Sequence, residues 1–286
     1  MGFYFFLISV LFVYALHRFW VLFLYWHYHS SQKSNPELVF DETTAPLVTV
    51  QLPIYNEKYV VERLIDAVCE FDYPRARLEI QVLDDSTDQT QSLAANRVST
   101  WQKVGINIIH CRRGSREGFK SGALQWGLLK AKGELVSIFD ADFVPPKDFL
   151  KQTVPYFHDL KVGMVQTRWG HLNENYSLLT RLQAMLLDGH FLLEHTARFK
   201  SGAFFNFNGT AGVWRRKAID DSGGWSARTL TEDLDLSYRA QLKGWQFIYL
   251  PHVVCPAELP IDIFSFPSVM FINVRNFVKS RGCIPF

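Results

Sequence analysis

Phe139-Asp-Ala-Asp142 ends an apolar run in two carboxylates separated by one small residue. On an extended chain, side chains two residues apart share a face, so Asp140 and Asp142 point the same way. Hard oxygen ligands of this kind suit Mg²⁺ or Mn²⁺, and a site with only one or two carboxylates leaves coordination positions free for phosphate oxygens and water. A metal held there neutralises charge developing on a departing diphosphate; a helix-capping role for either aspartate is the alternative. Lys120 follows the loop Arg112-Arg-Gly-Ser-Arg-Glu-Gly118 at a predicted helix start. There it is either a point-charge partner for the same diphosphate or a solvated lysine.

Three more constellations lie at element ends. Pro53-Ile-Tyr-Asn-Glu57 closes a strand and precedes a helix, where backbone N–H groups can face a ligand. Pro53, Tyr55 and Glu57 are its candidates, beside the alternative of a Pro-Asn turn with Glu57 as a first-turn helix charge. Asp84-Asp85, followed by Ser86, Thr87 and Asp88, puts a carboxylate pair at a strand's carboxyl edge. Such a group accepts hydrogen bonds from a nucleobase N–H edge or a ribose hydroxyl, or else caps the next helix. Thr231-Glu-Asp233 opens a helical pattern; Thr229 and Glu232 have capping-box spacing, which leaves Asp233 free. A base must reach the hydroxyl it deprotonates, and partial burial raises its pKa toward the working range, so Asp233 is the candidate base.

Other polar and aromatic positions divide between contact and core. Phe205-Asn-Phe-Asn-Gly-Thr-Ala-Gly212 mixes small and polar residues with aromatics, which suits a backbone lying close to a sugar. Trp169 either stacks on a pyranose ring or fills the core, with the core favoured. The Tyr176–Phe199 stretch is mostly amphipathic, so Leu178, Leu182, Met185 and Leu186 are expected in the core, and His190 and His195 are expected to be structural.

These positions need a frame, and the hydrophobic periodicity supplies one. Strands are predicted at Leu47–Leu52, Glu79–Leu83, Ile106–His110, Glu134–Phe139 and Val162–Gln166. Helices fall near Val60–Val68, Thr90–Lys103 and Lys120–Ala131, and another begins at Lys147. The alternation implies an α/β fold whose mainly parallel central sheet is flanked by helices, with ligands beyond the carboxyl ends of the strands.

The chain of 286 residues is 48% hydrophobic, which suits one sizeable core. With 30 Lys and Arg against 28 Asp and Glu, the formal charge of +2 gives no reason to expect nucleic acid as a partner. Four scattered cysteines suggest neither a zinc site nor a disulfide framework.

Phe3 to Trp26 is apolar and aromatic apart from His17 and Arg18, and reads as an uncleaved membrane anchor. Phe3 to Leu16 alone makes roughly 21 Å of helix against a hydrocarbon core of roughly 30 Å, so a full span carries Arg18 within it or near its end. Lys33, His27 and His29 follow the segment and no basic side chain precedes it, which places the following domain in the cytoplasm. The division is an anchor at 1–29, a polar linker at 30–46, a catalytic domain at 47–260 and a divergent tail at 261–286.

In this order the motifs resemble the processive family 2 glycosyltransferases of GT-A fold, most closely the cellulose synthase-like proteins and glucomannan synthases. The resemblance runs from about Val48 to Pro260 and rests on seven segments. They are Leu52-Pro-Ile-Tyr-Asn-Glu57, Val82-Leu-Asp-Asp-Ser-Thr-Asp88, Gly118-Phe-Lys-Ser-Gly-Ala123, Phe139-Asp-Ala-Asp142, Val165-Gln-Thr-Arg-Trp169, Phe207-Asn-Gly-Thr-Ala-Gly212 and Thr231-Glu-Asp233.

The resemblance implies an inverting transfer of glucose or mannose from a UDP- or GDP-hexose to a glycan or lipid acceptor. It also implies base contact by Asp85, metal and diphosphate binding by Asp140 and Asp142 with Lys120, and catalysis by Asp233. Trp169, Asn208, Gly209, Thr210 and Glu232 fall on the acceptor side. The family pattern then expects Gln-x-x-Arg-Trp after a stretch like Glu258-Leu-Pro260, followed by transmembrane helices. This chain instead reads Ile261-Asp-Ile-Phe-Ser-Phe-Pro-Ser-Val-Met270. A working transferase and a non-catalytic, membrane-bound nucleotide-sugar-binding relative therefore both stand open, with a truncation or frame change near Ser265 as one account of the tail.

Overall fold

The computed structural model describes residues 1–29, 38–227, 229 and 231–261, so the expectations for residues 30–37 and for the tail from 262 lie outside the described residues. The chain begins with α1 (Gly2–His29) and then alternates β1 (Val48–Ile54), α2 (Val61–Cys69), β2 (Leu78–Asp84), α3 (Thr90–Lys103), β3 (Ile108–Cys111), α4 (Phe119–Leu128) and β4 (Leu135–Ile138). After α5 (Phe149–Thr153) come β5 (Val162–His171), α6 (Leu178–Asp188), a π-helical turn (Gly189–His195) and α7 (Thr196–Ser201). The described domain finishes with β6 (Gly212–Arg215), α8 (Arg216–Asp221), α9 (Glu232–Leu242) and β7 (Gln246–Ala257).

The seven strands form one sheet in the order β3-β2-β1-β4-β6-β5-β7. The first four are mutually parallel, β6 runs antiparallel between β4 and β5, and β7 runs parallel to β5. This is the expected α/β sheet of GT-A type, mainly parallel and flanked by helices. The reversal of β6 matters for the site: Gly212 pairs with Ile138, so β6 begins at the edge where β4 ends.

β1 and β2 are buried almost throughout, as strands covered on both faces must be. Their inward polar groups pair across the ladder: Thr49 Oγ1 donates to Glu79 at 2.6 Å and Gln51 Nε2 to Gln81 Oε1 at 3.0 Å. Pro53 lies beyond Gln51–Ile138, the last β1–β4 pair, so its missing N–H takes no bond from that ladder. On one side of the sheet Phe139 packs against Phe149 and Phe71, with ring centroids 4.9 and 5.9 Å away. A second cluster gathers Phe207, Trp214, Trp225 and Tyr249.

Several boundaries differ from the sequence reading. The third strand runs two residues later at its start, and α4 ends at Leu128 rather than Ala131. β6 and β7 were not anticipated. β6 is four residues long, and β7 contains Pro251 and Pro256, which argue against a strand. β7 tolerates them because it lies at the sheet edge and its register shifts there, with Thr167 opposite Leu250 and Arg168 opposite Val254.

The expectation of a buried apolar stripe on α6 is overturned. Leu178, Leu182, Met185 and Leu186 are 75%, 46%, 63% and 62% exposed, while Thr180, Gln183 and Ala184 are buried. The polar face turns inward because it has partners: Ser177 and Thr180 form a reciprocal capping box, and Gln183 Nε2 donates to the Pro260 carbonyl at 2.9 Å.

α1 is long and apolar enough to cross a membrane. Its 28 residues extend about 42 Å, with Arg18 inside the span. It packs on the π-helical turn and α7, with Val21 buried.

Phe139 holds the strand end that carries Asp140. Phe139→Ala is expected to destabilise the protein by about 3–5 kcal/mol in denaturant unfolding; a change below about 1 kcal/mol would show that the site edge does not depend on this aromatic cluster.

Candidate active site

The parallel strands β1, β2 and β4 end side by side, which brings Pro53–Glu57, Asp84–Asp88 and Phe139–Asp142 to one edge. The Phe207–Ala211 segment joins them because β6 starts there. Asn56 sews the first two loops together: its N–H donates to Ser86 Oγ at 2.9 Å and its Oδ1 accepts the Thr87 N–H at 2.9 Å. Thr210 does the same for the other two, its hydroxyl oxygen accepting the Asp140 N–H at 2.9 Å.

Lys120 stands at the centre. Gly118, with φ of 70°, lets the chain turn sharply into α4, and the Lys120 ammonium lies 2.5 Å from Asp140 Oδ1 and donates to the Gly209 carbonyl at 3.1 Å. Gly209 is required at that point: its φ is 79°, and a Cβ would stand 3.2 Å from Asp233 Oδ2 and 3.4 Å from Lys120 Nζ. Asp233, Lys120 and Asp140 thus surround one backbone position, although they come from three separate segments. Asn56, Phe119 and Ala211 have φ of 57°, 49° and 52°, and all three adjoin these loops. Left-handed backbone at non-glycine residues clusters at functional sites.

Burial pulls the Lys120 pKa down, but the carboxylates of Asp140, Glu232 and Asp233 outweigh it and hold the ammonium above the ordinary lysine range. Asp142 is pushed up to about 7, first by burial and then by Asp140. Asp233 is pushed up to about 6, first by burial and then by Glu232. Glu57 is also raised, first by burial and then by Asp140 and Asp88.

Two carboxylates on one loop, of which Asp142 is disfavoured as an anion by burial and by Asp140, fit a hard divalent cation. Among the described residues no group of three or more His, Cys, Asp or Glu gathers at metal-binding distance. Asp140 and Asp142 are a two-carboxylate candidate, which fits an ion that completes its shell with phosphate and water.

Other sequence candidates fall elsewhere. Asp84 is sealed, its Oδ1 accepting the Ser86 N–H at 2.8 Å and its Oδ2 lying 2.8 Å from His110 Nε2. Burial alone would raise its pKa, but His110 and Ser86 hold it below the ordinary range, and both its oxygens are already engaged within the protein.

Asp85 is taken by Arg113, whose Nε donates to Oδ1 at 2.7 Å and whose Nη2 donates to Oδ2. The same guanidinium donates to the Glu117 and Phe119 carbonyls at 2.7 Å. In this arrangement Asp85 fixes the loop that presents Lys120 rather than offering a free carboxylate to a base.

Tyr55 is 38% exposed, with the Arg116 guanidinium 3.3 Å from its ring centroid. Thr210 is fully buried, so its place is behind Asp140 and not on an acceptor surface. Asn208 turns toward His190 and His195. Trp169 is half-buried between Phe143 and Phe191, with centroids 5.2 and 5.1 Å away.

The capping box of Thr229 and Glu232 does not form. α9 starts at Glu232 itself, and the Thr229 hydroxyl donates to the Thr231 carbonyl at 3.3 Å. Glu232 is therefore free to act on Lys120 and Asp233.

Sequence reasoning missed Arg113, whose signal was an arginine-rich loop just before Lys120. It also missed Gln166, which accepts the Asn208 N–H at 3.0 Å and donates to the Thr210 carbonyl at 3.2 Å.

This chain matches the model of the family "Glycosyltransferase like family 2" over residues 45–275. It is 49% identical over 220 residues to "Probable glucomannan 4-beta-mannosyltransferase 11" of Oryza sativa subsp. japonica, covering 75% of this chain and 39% of that protein. It is 46% identical over 220 residues to "Glucomannan 4-beta-mannosyltransferase 9" of Arabidopsis thaliana, covering 75% of this chain and 41% of that protein. The chain thus spans about two fifths of the length of these curated relatives.

Among solved structures, the mannosyltransferase PcManGT from Pyrobaculum calidifontis, in complex with GDP-Man and Mn²⁺, superposes with a TM-score of 0.73 at 25% identity, covering 97% of this chain and 76% of that one. S. aureus TarS with UDP-GlcNAc shares the fold at a TM-score of 0.57 and 17% identity, over 76% of this chain and 59% of that one. With the site at the carboxyl edge of a GT-A sheet and the family model covering most of its length, the chain belongs to glycosyltransferase family 2.

Proposed function

We propose that this chain carries the donor site and catalytic base of an inverting mannosyltransferase that moves mannose from GDP-mannose to a β-1,4-mannan or glucomannan acceptor. The observation that carries the reading is the gathering of Asp233, Lys120 and Asp140 around Gly209. The relatives named for glucomannan 4-β-mannosyl transfer, and the related fold solved with GDP-Man and Mn²⁺, support mannose over glucose and guanosine over uridine.

Lys120 receives the negative charge of the donor diphosphate, and its recessed position makes that charge act through less water. Asp140 and Asp142 would hold Mn²⁺ or Mg²⁺, which supplies charge neutralisation to the leaving diphosphate. Asp233 takes the proton of the acceptor hydroxyl as that oxygen bonds to the anomeric carbon. The bond from that carbon to the diphosphate oxygen breaks, and the nucleoside diphosphate departs with the electron pair. Attack opposite the leaving group turns an α-linked donor into a β-glycoside. The apolar α1 anchors the domain to a membrane, and Lys33, which follows it, supports a cytoplasmic position.

Asp142→Ala is expected to abolish metal-dependent donor binding; calorimetry showing undiminished Mn²⁺-dependent binding would refute the metal assignment. Asp233→Asn is expected to spare GDP-mannose binding while lowering transfer by about 10²-fold or more, and retained transfer would remove Asp233 as the base.

Two pH effects follow from the same carboxylate. Transfer should rise with pH through about 6, where Asp233 ionises. Because its folded pKa lies above its ordinary value, its stabilising contribution is present at low pH and is lost as pH rises through about 6. Asp233→Asn should therefore raise the Tm of the ligand-free protein at pH 8, and the gain should shrink toward pH 4. A Tm lowered at pH 8 would contradict its burial.

A further inference from the structure

The only Lys, Arg, Asp or Glu in α1 is Arg18. An arginine within a membrane-spanning helix is disfavoured by about 2.5–3.5 kcal/mol near the bilayer centre, so its placement calls for a compensating contact. Tyr14, one turn earlier, accepts hydrogen bonds from Arg18 Nε and Nη2 at 3.0 and 2.8 Å, and Arg18 Nη1 donates to Glu194 Oε2 at 3.2 Å. Glu194 belongs to the π-helical turn and already has cationic company: Arg198 donates to its Oε1 at 3.2 and 3.0 Å. Arg18 is thus not needed to neutralise it. What Arg18 adds is a link between the apolar helix and the group behind Glu194.

That group leads to the site. Glu194 Oε2 lies 3.4 Å from His190 Nδ1, and the Nε2 atoms of His190 and His195 are 2.9 Å apart. In an α-helix, residues five apart lie about 140° apart around the axis; the i→i+5 register of a π-helix brings them onto one face. The π-helical turn is what allows this imidazole pair. Both rings hold Asn208, whose Oδ1 is 3.2 Å from His190 Nε2 and whose Nδ2 donates to His195 Nε2 at 3.1 Å. The next carbonyl, that of Gly209, accepts from Lys120. A path of polar contacts, joined by the Asn208–Gly209 backbone, therefore runs from the apolar helix to the central lysine.

We propose that Arg18 is a positioning residue. Through Glu194, the His190–His195 pair and Asn208, it fixes the Gly209 carbonyl that holds Lys120, so the seating of the apolar helix and the geometry of the site are coupled. The coupling rests on contacts alone; its expected effect on turnover rests on the mannosyl-transfer reading above.

The experiment uses the full chain in lipid nanodiscs and compares wild type with Arg18→Leu, Arg18→Lys, the milder Tyr14→Phe, and Phe19→Leu as a control on the exposed side of α1. Amide hydrogen exchange across residues 205–212 is read first, because it needs no donor or activity. Arg18→Leu should speed exchange there by about fivefold or more, Tyr14→Phe should act in the same direction, Arg18→Lys should restore protection, and Phe19→Leu should change nothing.

Where wild type transfers mannose, Arg18→Leu should lower kcat by a similar factor with the donor KM little changed. Wild-type exchange rates in both Arg18→Leu and Tyr14→Phe would overturn the proposal, as would equal loosening by Phe19→Leu. If Arg18→Leu fails to insert, Tyr14→Phe decides alone. Wild type without transfer would instead count against the proposed function and leave the exchange result to stand by itself.

Discussion

The ion pair between Lys120 and Asp140, closed by the Gly209 carbonyl, is the constraint around which the site is arranged. A lysine keeps its charge in a recess only if carboxylates face it, and those carboxylates come from the loop after β4 and from α9. The requirement explains three otherwise separate features of the fold. β6 runs backwards so that its start meets the end of β4, Gly209 lacks a side chain where Asp233 and Lys120 approach, and Arg113 pins the loop that turns into α4. The left-handed residues Asn56, Phe119 and Ala211 mark where the backbone bends to serve the same point.

Stability is given up locally for this arrangement. Asp142 and Asp233 are held where their ionisation is disfavoured, and clustered carboxylates of this kind relax only when a cation or a proton arrives. Perturbed acids in a cleft are a common mark of function because a fold optimised for stability alone would not gather them. The surrounding core compensates with aromatic packing on both faces of the sheet, and with buried polar pairs such as Thr49–Glu79.

Much of this was legible in the sequence because its signals are local. A strand that stops in Asp-Ala-Asp, or a glycine just ahead of a lysine at a helix start, announces its geometry within a few residues. What escaped depends on partners distant in the chain. Asp84 and Asp85 are indistinguishable by sequence, yet one is sealed by His110 and the other is taken by Arg113. The α6 stripe has core spacing but lies exposed, because the opposite face finds a capping box and the Pro260 carbonyl. Pro251 and Pro256 hid an edge strand that its register shift accommodates. The pairing of His190 with His195 depends on a π-helical turn, which apolar periodicity does not reveal.

The most direct test of the central claim is turnover of GDP-mannose by the purified chain with Mn²⁺, following nucleotide release and mannose incorporation together, with UDP-glucose and GDP-glucose in parallel. The account predicts GDP release matched by β-linked mannose in the product, with GDP-mannose preferred. Absence of binding and turnover with every donor would contradict the assignment of Lys120, Asp140 and Asp142 to a nucleotide-sugar diphosphate and its metal.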